Sequence, residues 1–275
     1  MSQTAPEPLV QALLKRDRWV VAGCLLLACL LAWAWLLQHS APAPASGGMA
    51  MGGMDMPGMT MSPAPAFTPA AYGAAALMWA LMMAAMMLPS AAPMILLYAR
   101  FARTARAQGA VLAPTFVFAA TYLTLWGVFS LAAAAIQLGL IASGVVSAAN
   151  LAIGNGRLAG AVLLAAGLYQ LTPLKRACLA QCRSPLSFVT RLWRPGPAGA
   201  IRLGLTHGLY CIGCCWLLMA LLFVGGVMSL AWVAALALVV LLEKATPIGE
   251  LGSKLLGALA ATAGIALLLG ARPPW

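Results

Sequence analysis

Residues 207 to 216 read HGLYCIGCCW, which sets one histidine and three cysteines inside an otherwise apolar run. On a helix, His207, Cys211 and Cys214 fall within about 60° of one another, and Cys215 and Met219 extend that face at i+4 steps. Imidazole and thiolate donors suit Cu(I) or Zn rather than Mg or Ca. Two other readings stand beside the metal one. Cys211-x-x-Cys214 is also a spacing used for disulfide exchange, and small sulfur side chains pack well between helices. Ionisable groups within a membrane segment are costly and therefore point to function. Gly208 and Gly213 in the same run permit local unwinding or close helix approach.

A second pair, Cys178 and Cys182 in RACLAQCRSP, repeats the i, i+4 spacing, and Lys175, Arg176 and Arg183 beside it favour the thiolate. Thioethers are the third donor class. The run MWALMMAAMMLPSAAPM places Met83, Met87 and Met94 on one helical stripe and Met78, Met82 and Met86 on an adjacent one. They form either a metal path or ordinary adaptable packing. Pro89 and Pro93 are expected to interrupt this helix and free carbonyls for a neighbour or a ligand. A third methionine group, Met49, Met51, Met54, Met56, Met59 and Met61, lies in MAMGGMDMPGMTM. A solvated loop gains nothing from six large apolar side chains, whereas neutral thioethers capture Cu(I) without deprotonation. His39 is expected to be an interfacial residue. Glu243 and Lys244 in LLEKATP read as an interfacial ion pair that ends a helix, or else Glu243 is a proton acceptor or carboxylate ligand near the cysteines.

The elements that must position these groups are membrane helices. The chain has 275 residues, 63% hydrophobic and 8% charged, with several apolar runs near the ~20 residues needed to cross a bilayer. Segments are expected at about 19–37, 74–98, 114–142, 157–172, 203–226, 228–242 and 255–271. The fold class is all-α, a polytopic transmembrane bundle of seven spans. Six is the alternative, because the fourth and sixth segments are short. Fourteen of the sixteen Lys and Arg residues fall on one side of this arrangement, all but Arg157 and Arg272. The positive-inside tendency then makes the N-terminus cytoplasmic. The net charge of +11 is thus a topology signal, and a nucleic-acid partner is not expected. The first segment is longer than a cleaved signal core and reads as a retained anchor.

The domains that follow are 1–38, a cytoplasmic N-terminus and first anchor; 39–73, a Met-rich flexible external loop; and 74–271, the membrane-embedded helical domain. The last includes a cytoplasmic loop, 173–202, carrying Cys178, Cys182 and a short interfacial helix around Trp193. None of the seven cysteines falls in an external loop, so a disulfide framework is not expected, and Cys24 and Cys29 read as packing residues.

Four ordered motifs, WALMMAAMMLPSAAPM, YQLTPLKRACLAQCRSPL, HGLYCIGCCWLLM and EKATPIG, resemble the family of predicted metal-binding integral membrane proteins across about residues 78–257. That resemblance implies a metal at Cys178, Cys182, His207, Cys211, Cys214 and Cys215, together with Met82, Met83, Met86 and Met87. It implies no activity and no metal identity, and the Met-rich loop lies outside it.

Ligand softness makes Cu(I) the expected cargo, with zinc the alternative. The expected function is capture, transfer or transport of Cu(I) in a bacterial inner membrane, serving a cuproenzyme or a metallochaperone. No G-x-x-x-x-G-K-[ST] motif supports ATP-driven pumping, and no nucleophile–base–acid set supports hydrolysis, so an enzyme is not the favoured reading. A membrane thiol-disulfide oxidoreductase and a non-catalytic assembly subunit are the alternatives.

Overall fold

The computed structural model describes residues 8–39, 68–107, 115–246 and 249–271. Met49, Met51, Met54, Met56, Met59 and Met61 lie outside the described residues, as does most of the 39–73 loop. The described residues fold into ten helices: α1 Pro8–His39, α2 Pro69–Ala107, α3 Thr115–Ala142, α4 Gly156–Leu171, α5 Pro173–Arg183, α6 Pro185–Leu192, α7 Gly196–Ala220, α8 Leu222–Gly225, α9 Leu230–Ala245 and α10 Gly249–Leu268. An isolated antiparallel bridge between Val146 and Ile153 ties the turn after α3.

Among the described residues, five stretches are long and apolar enough to cross a membrane: Trp19–His39, Pro69–Thr104, Thr115–Ala142, Gly196–Gly225 and Gly249–Leu268. Gly156–Leu171 and Pro173–Arg183, bent by 64°, make a sixth when taken together. Helix α9 matches the sixth apolar segment of the sequence, but its 16 residues rise only about 24 Å, short of a ~30 Å hydrocarbon core. Leu26, Leu30, Phe116 and Leu259 are exposed, as expected of helices whose outer surface meets acyl chains.

Helix α2 runs unbroken through Pro89 and Pro93, contrary to the interruption expected from its sequence. The freed backbone is satisfied by a neighbour. The carbonyl of Ala85, four residues before Pro89, accepts from the Cys29 thiol of α1 at 3.7 Å. Cys29 therefore has a bonding role beyond packing, while Cys24 is exposed.

Residues 173–202 are also more ordered than an extended polar loop. Thr172 caps α5 by accepting from the Lys175 backbone N–H at 3.2 Å, and Pro173 occupies the first turn, where its missing donor costs nothing. The helix expected around Trp193 is α6, and Trp193 is its C-terminal cap.

Helices α2, α3, α7 and α9 surround the core, with α1 packed on α2 and α5 on α7. Helices α4 and α10 meet backbone to backbone. A Cβ at Gly160 would lie 2.8 Å from the Gly264 carbonyl oxygen, and one at Gly167 would lie 2.6 Å from that of Gly257. Both pairs are spaced by two turns, so four glycines form one seam that lets the helices touch.

Candidate metal centre

The face predicted for α7 is the buried one: His207, Cys211, Cys214, Cys215 and Met219 are each at most 3% exposed. The thiols are linked. The Cys182 thiol of α5 and the Cys215 thiol lie beside that of Cys214, and Cys215 beside Cys211. Within the helix, the Cys214 and Cys215 thiols also donate to the Cys211 carbonyl oxygen at 3.1 and 3.0 Å. Cys182 reaches this group because α5 lies close on α7. At the contact, a Cβ on Gly213 would sit 2.9 Å from Cys178 Sγ. Tyr169 of α4 donates its hydroxyl to the Gly213 carbonyl and fixes the same turn. Cys178 thus borders the group without a hydrogen bond to the other thiols among those described.

Two residues not anticipated from the sequence complete the surroundings. Lys244 Nζ donates to Cys211 Sγ at 3.0 Å and to Ser90 Oγ at 3.2 Å, and lies 4.0 Å from Met87 Sδ. The Tyr122 hydroxyl lies 3.1 Å from Cys211 Sγ. Lys244 is therefore not the partner of Glu243. Glu243 instead pairs with Lys175, whose Nζ lies 2.7 Å from Oε2 and 2.9 Å from Oε1. It also accepts from Gln170 at 2.9 Å and Ser253 at 2.7 Å. Adjacent helical residues point about 100° apart, so Glu243 and Lys244 cannot serve one face, and this was the signal available in the sequence. The basic neighbour expected beside Cys178 and Cys182 is likewise reassigned: Lys175 serves Glu243, and the ammonium at the thiols is that of Lys244.

His207 stands apart from the hydrogen-bonded thiols. Its ring is surrounded by Phe118, Tyr122 and Phe188, with centroids 6.1, 5.4 and 5.8 Å away. Both ring nitrogens are buried without a hydrogen-bond partner among the described residues. At least one of them carries a lone pair in neutral imidazole, so a polar group has been buried at a cost that nothing within the described protein repays.

Met82, Met83, Met86 and Met87 are all at most 1% exposed. The Met87 thioether lies 4.0 Å from Lys244 Nζ, which in turn donates to Cys211. Among the described residues, no three or more His, Cys, Asp or Glu side chains form a group that could hold a metal ion. The donor types nevertheless fit a soft monovalent cation. Thiols predominate, no carboxylate among the described residues bonds to them, and Cu(I) accepts two sulfur ligands in linear coordination where Zn calls for four.

No curated protein and no solved structure matches the chain. The profile of a family described as PpoB2, copper chaperone, matches residues 76–267, which takes in α3 to α9, most of α2 and all but the last residue of α10. With most of its length in that match, the chain belongs to the PpoB2 copper chaperone family.

Proposed function

We propose that the protein is a multi-pass membrane copper chaperone that holds Cu(I) between the thiols of Cys182 and Cys214, with Cys211, Cys215 and His207 as neighbouring donors. The observation that carries this reading is the proximity of the Cys182 thiol of α5 to the Cys214 thiol of α7, with His207, which has no hydrogen-bond partner among the described residues, one turn before Cys211 on the same helix. Two thiolates around one Cu(I) carry a net negative charge, and the Lys244 ammonium is placed to offset it. Cys178, Met83, Met86 and Met87 line the approach. The loop methionines, Met49 to Met61, would capture the ion from outside.

The asymmetry of Lys and Arg supports a cytoplasmic N-terminus and a bacterial inner membrane, with the thiols in the cytoplasmic half. A thioether loop outside and thiols within suit a passage of the ion toward a cuproenzyme or metallochaperone.

Metal content of the purified full chain tests the reading. Protein from copper-replete cells should carry copper, and Cys214→Ser should lose the share held by the thiols. Less than about a tenth of an equivalent in the unaltered chain would overturn the proposal.

The Cys182–Cys214 contact also favours a second reading, a thiol-disulfide oxidoreductase that closes a bond between these two sulfurs. A redox pair would keep its activity after His207→Phe, whereas a copper site would weaken. Trapping of a mixed disulfide by Cys214 in a Cys182→Ser variant would select the redox reading.

A further inference from the structure

A second group of soft donors lies where α1 ends against α2 and α9, away from the thiols. A cavity of about 140 Å³ there is lined by His39 of α1, Met78 and Met82 of α2, and Met228 in the turn before α9, with Trp35 and Val233 among the walls. His39 Nδ1 lies 2.8 Å from the Trp35 carbonyl oxygen. A carbonyl only accepts, so Nδ1 carries the proton and Nε2 of the neutral ring keeps its lone pair. The His39 ring also stacks on Trp35, with centroids 4.2 Å apart and planes 20° from parallel. A proton held by a backbone carbonyl and a ring held by stacking are the outer contacts that orient a metal-binding imidazole.

Methionines that serve only packing fill space, whereas these three border a void beside that imidazole. We propose that this cavity is a Cu(I) receiving site, with Nε2 of His39 and the thioethers of Met78, Met82 and Met228 as its donors. Three of the four are thioethers, which suits a soft monovalent ion and disfavours Zn, Mg or Ca. His39 lies outside the residues matched by the family profile, and its sequence position alone suggests only an interfacial residue.

The direction of travel rests on the copper reading of the thiols. Neutral thioethers hold Cu(I) less strongly than thiolates, so an ion received here moves downhill toward Cys211 and Cys214. Met83 and Met86 are buried between Met82 and Met87 on the same helix. Met82 and Met87 are five residues apart, about 7.5 Å of helical rise, and Met87 already contacts Lys244.

The test is an anaerobic Cu(I) titration of the full chain against a chromophoric Cu(I) chelator. The background carries Ser at the six loop methionines and at Cys178, Cys182, Cys211, Cys214 and Cys215. It should retain about one equivalent. Adding Met78→Leu, Met82→Leu and Met228→Leu should lower the affinity by about tenfold or more. His39→Gln should remove the nitrogen scatterer from the copper X-ray absorption spectrum while leaving sulfur. Unchanged affinity in the triple-Leu variant, or a nitrogen shell that survives His39→Gln, overturns the proposal.

Leucine nearly conserves methionine volume, and the triple-Leu change made alone in the native chain keeps the question open to test if the Ser background does not fold. There it should remove about one equivalent from the total, and no loss again overturns the site. The thiol centre fails separately, by copper content that is insensitive to Cys214→Ser while the cavity still binds.

Discussion

Glu243 and Lys244 are neighbours on α9, yet they supply two buried polar regions that differ in how fully their groups are partnered. Around Glu243 the bonds are close to complete. Lys175, Gln170 and Ser253 all donate to its carboxylate, from α5, α4 and α10. Around Lys244 the groups are sulfur, an ammonium and a phenol, and His207, stacked on that phenol ring, has no hydrogen-bond partner among the described residues. A charge in low dielectric has to be paired or coordinated. The first region solves this within the chain and acts as a cross-link among four helices. The second leaves donors to spare, which is what a ligand requires. Perturbing the Glu243 region should therefore cost fold stability and leave copper alone, whereas perturbing the Lys244 region should do the reverse.

The largest effect is expected from splitting the buried ion pair. Lys175→Met leaves Glu243 charged and half-partnered, and should destabilise the protein by about 3–5 kcal/mol, read as a lowered unfolding midpoint in detergent. Adding Glu243→Leu should recover much of that loss, because removing both charges removes the desolvation cost as well. Copper bound per folded molecule should not change in either variant. Loss of copper from the folded fraction of Lys175→Met would merge the two regions into one and break the distinction.

His207 offers the opposite sign. Replacing it with Phe removes two unpartnered nitrogens from an aromatic cage while keeping the ring. Stability should therefore rise, or at worst hold, by about 1–3 kcal/mol, with weaker copper retention in the same sample. A histidine kept for structure would behave otherwise, and destabilisation comparable to that of Lys175→Met would show that its nitrogens have a structural partner.

The sequence made some of this arrangement readable. Apolar runs near twenty residues located α1, α2, α3, α7 and α10, because a bilayer tolerates little else. The 3.6-residue period placed His207, Cys211 and Cys214 on one face, and that face is the buried one. The contacts that organise the site were not readable. Tyr122 and Cys211 are 89 positions apart, Lys244 and Cys211 are 33, and Lys175 and Glu243 are 68. Which of them meet is decided by how helices dock, and periodicity within one helix says nothing about that. The prolines misled for a related reason: whether Pro89 breaks α2 depends on whether a neighbour can serve the freed carbonyl, and Cys29, 56 positions away, does so. The turn at Thr172-Pro173 was a local signal, a cap followed by proline at the first helical position, that marked the start of α5 within an apparent loop.

The smallest expected effect falls where the two regions share an element. Helix α5 carries Lys175 toward Glu243 and Cys182 toward Cys214, so its seat on α7 sets both. That seat depends on Gly213, where any Cβ would come within 2.9 Å of Cys178 Sγ. Gly213→Ala should cost about 1 kcal/mol, the low end for overpacking, because a cysteine sulfur can rotate away more cheaply than backbone can shift. Two helices pushed apart by even a fraction of an ångström should nevertheless lengthen the Cys182–Cys214 contact, while the long Lys175 side chain can extend to keep its carboxylate. Copper retention should then fall more than stability does, and Gly213→Ala combined with Cys178→Ala should restore it by removing the clash. If the double variant does not recover copper, the spacing of α5 from α7 is not what brings the thiols together, and the division between a rigid carboxylate cross-link and a distance-sensitive sulfur site fails at the helix they share.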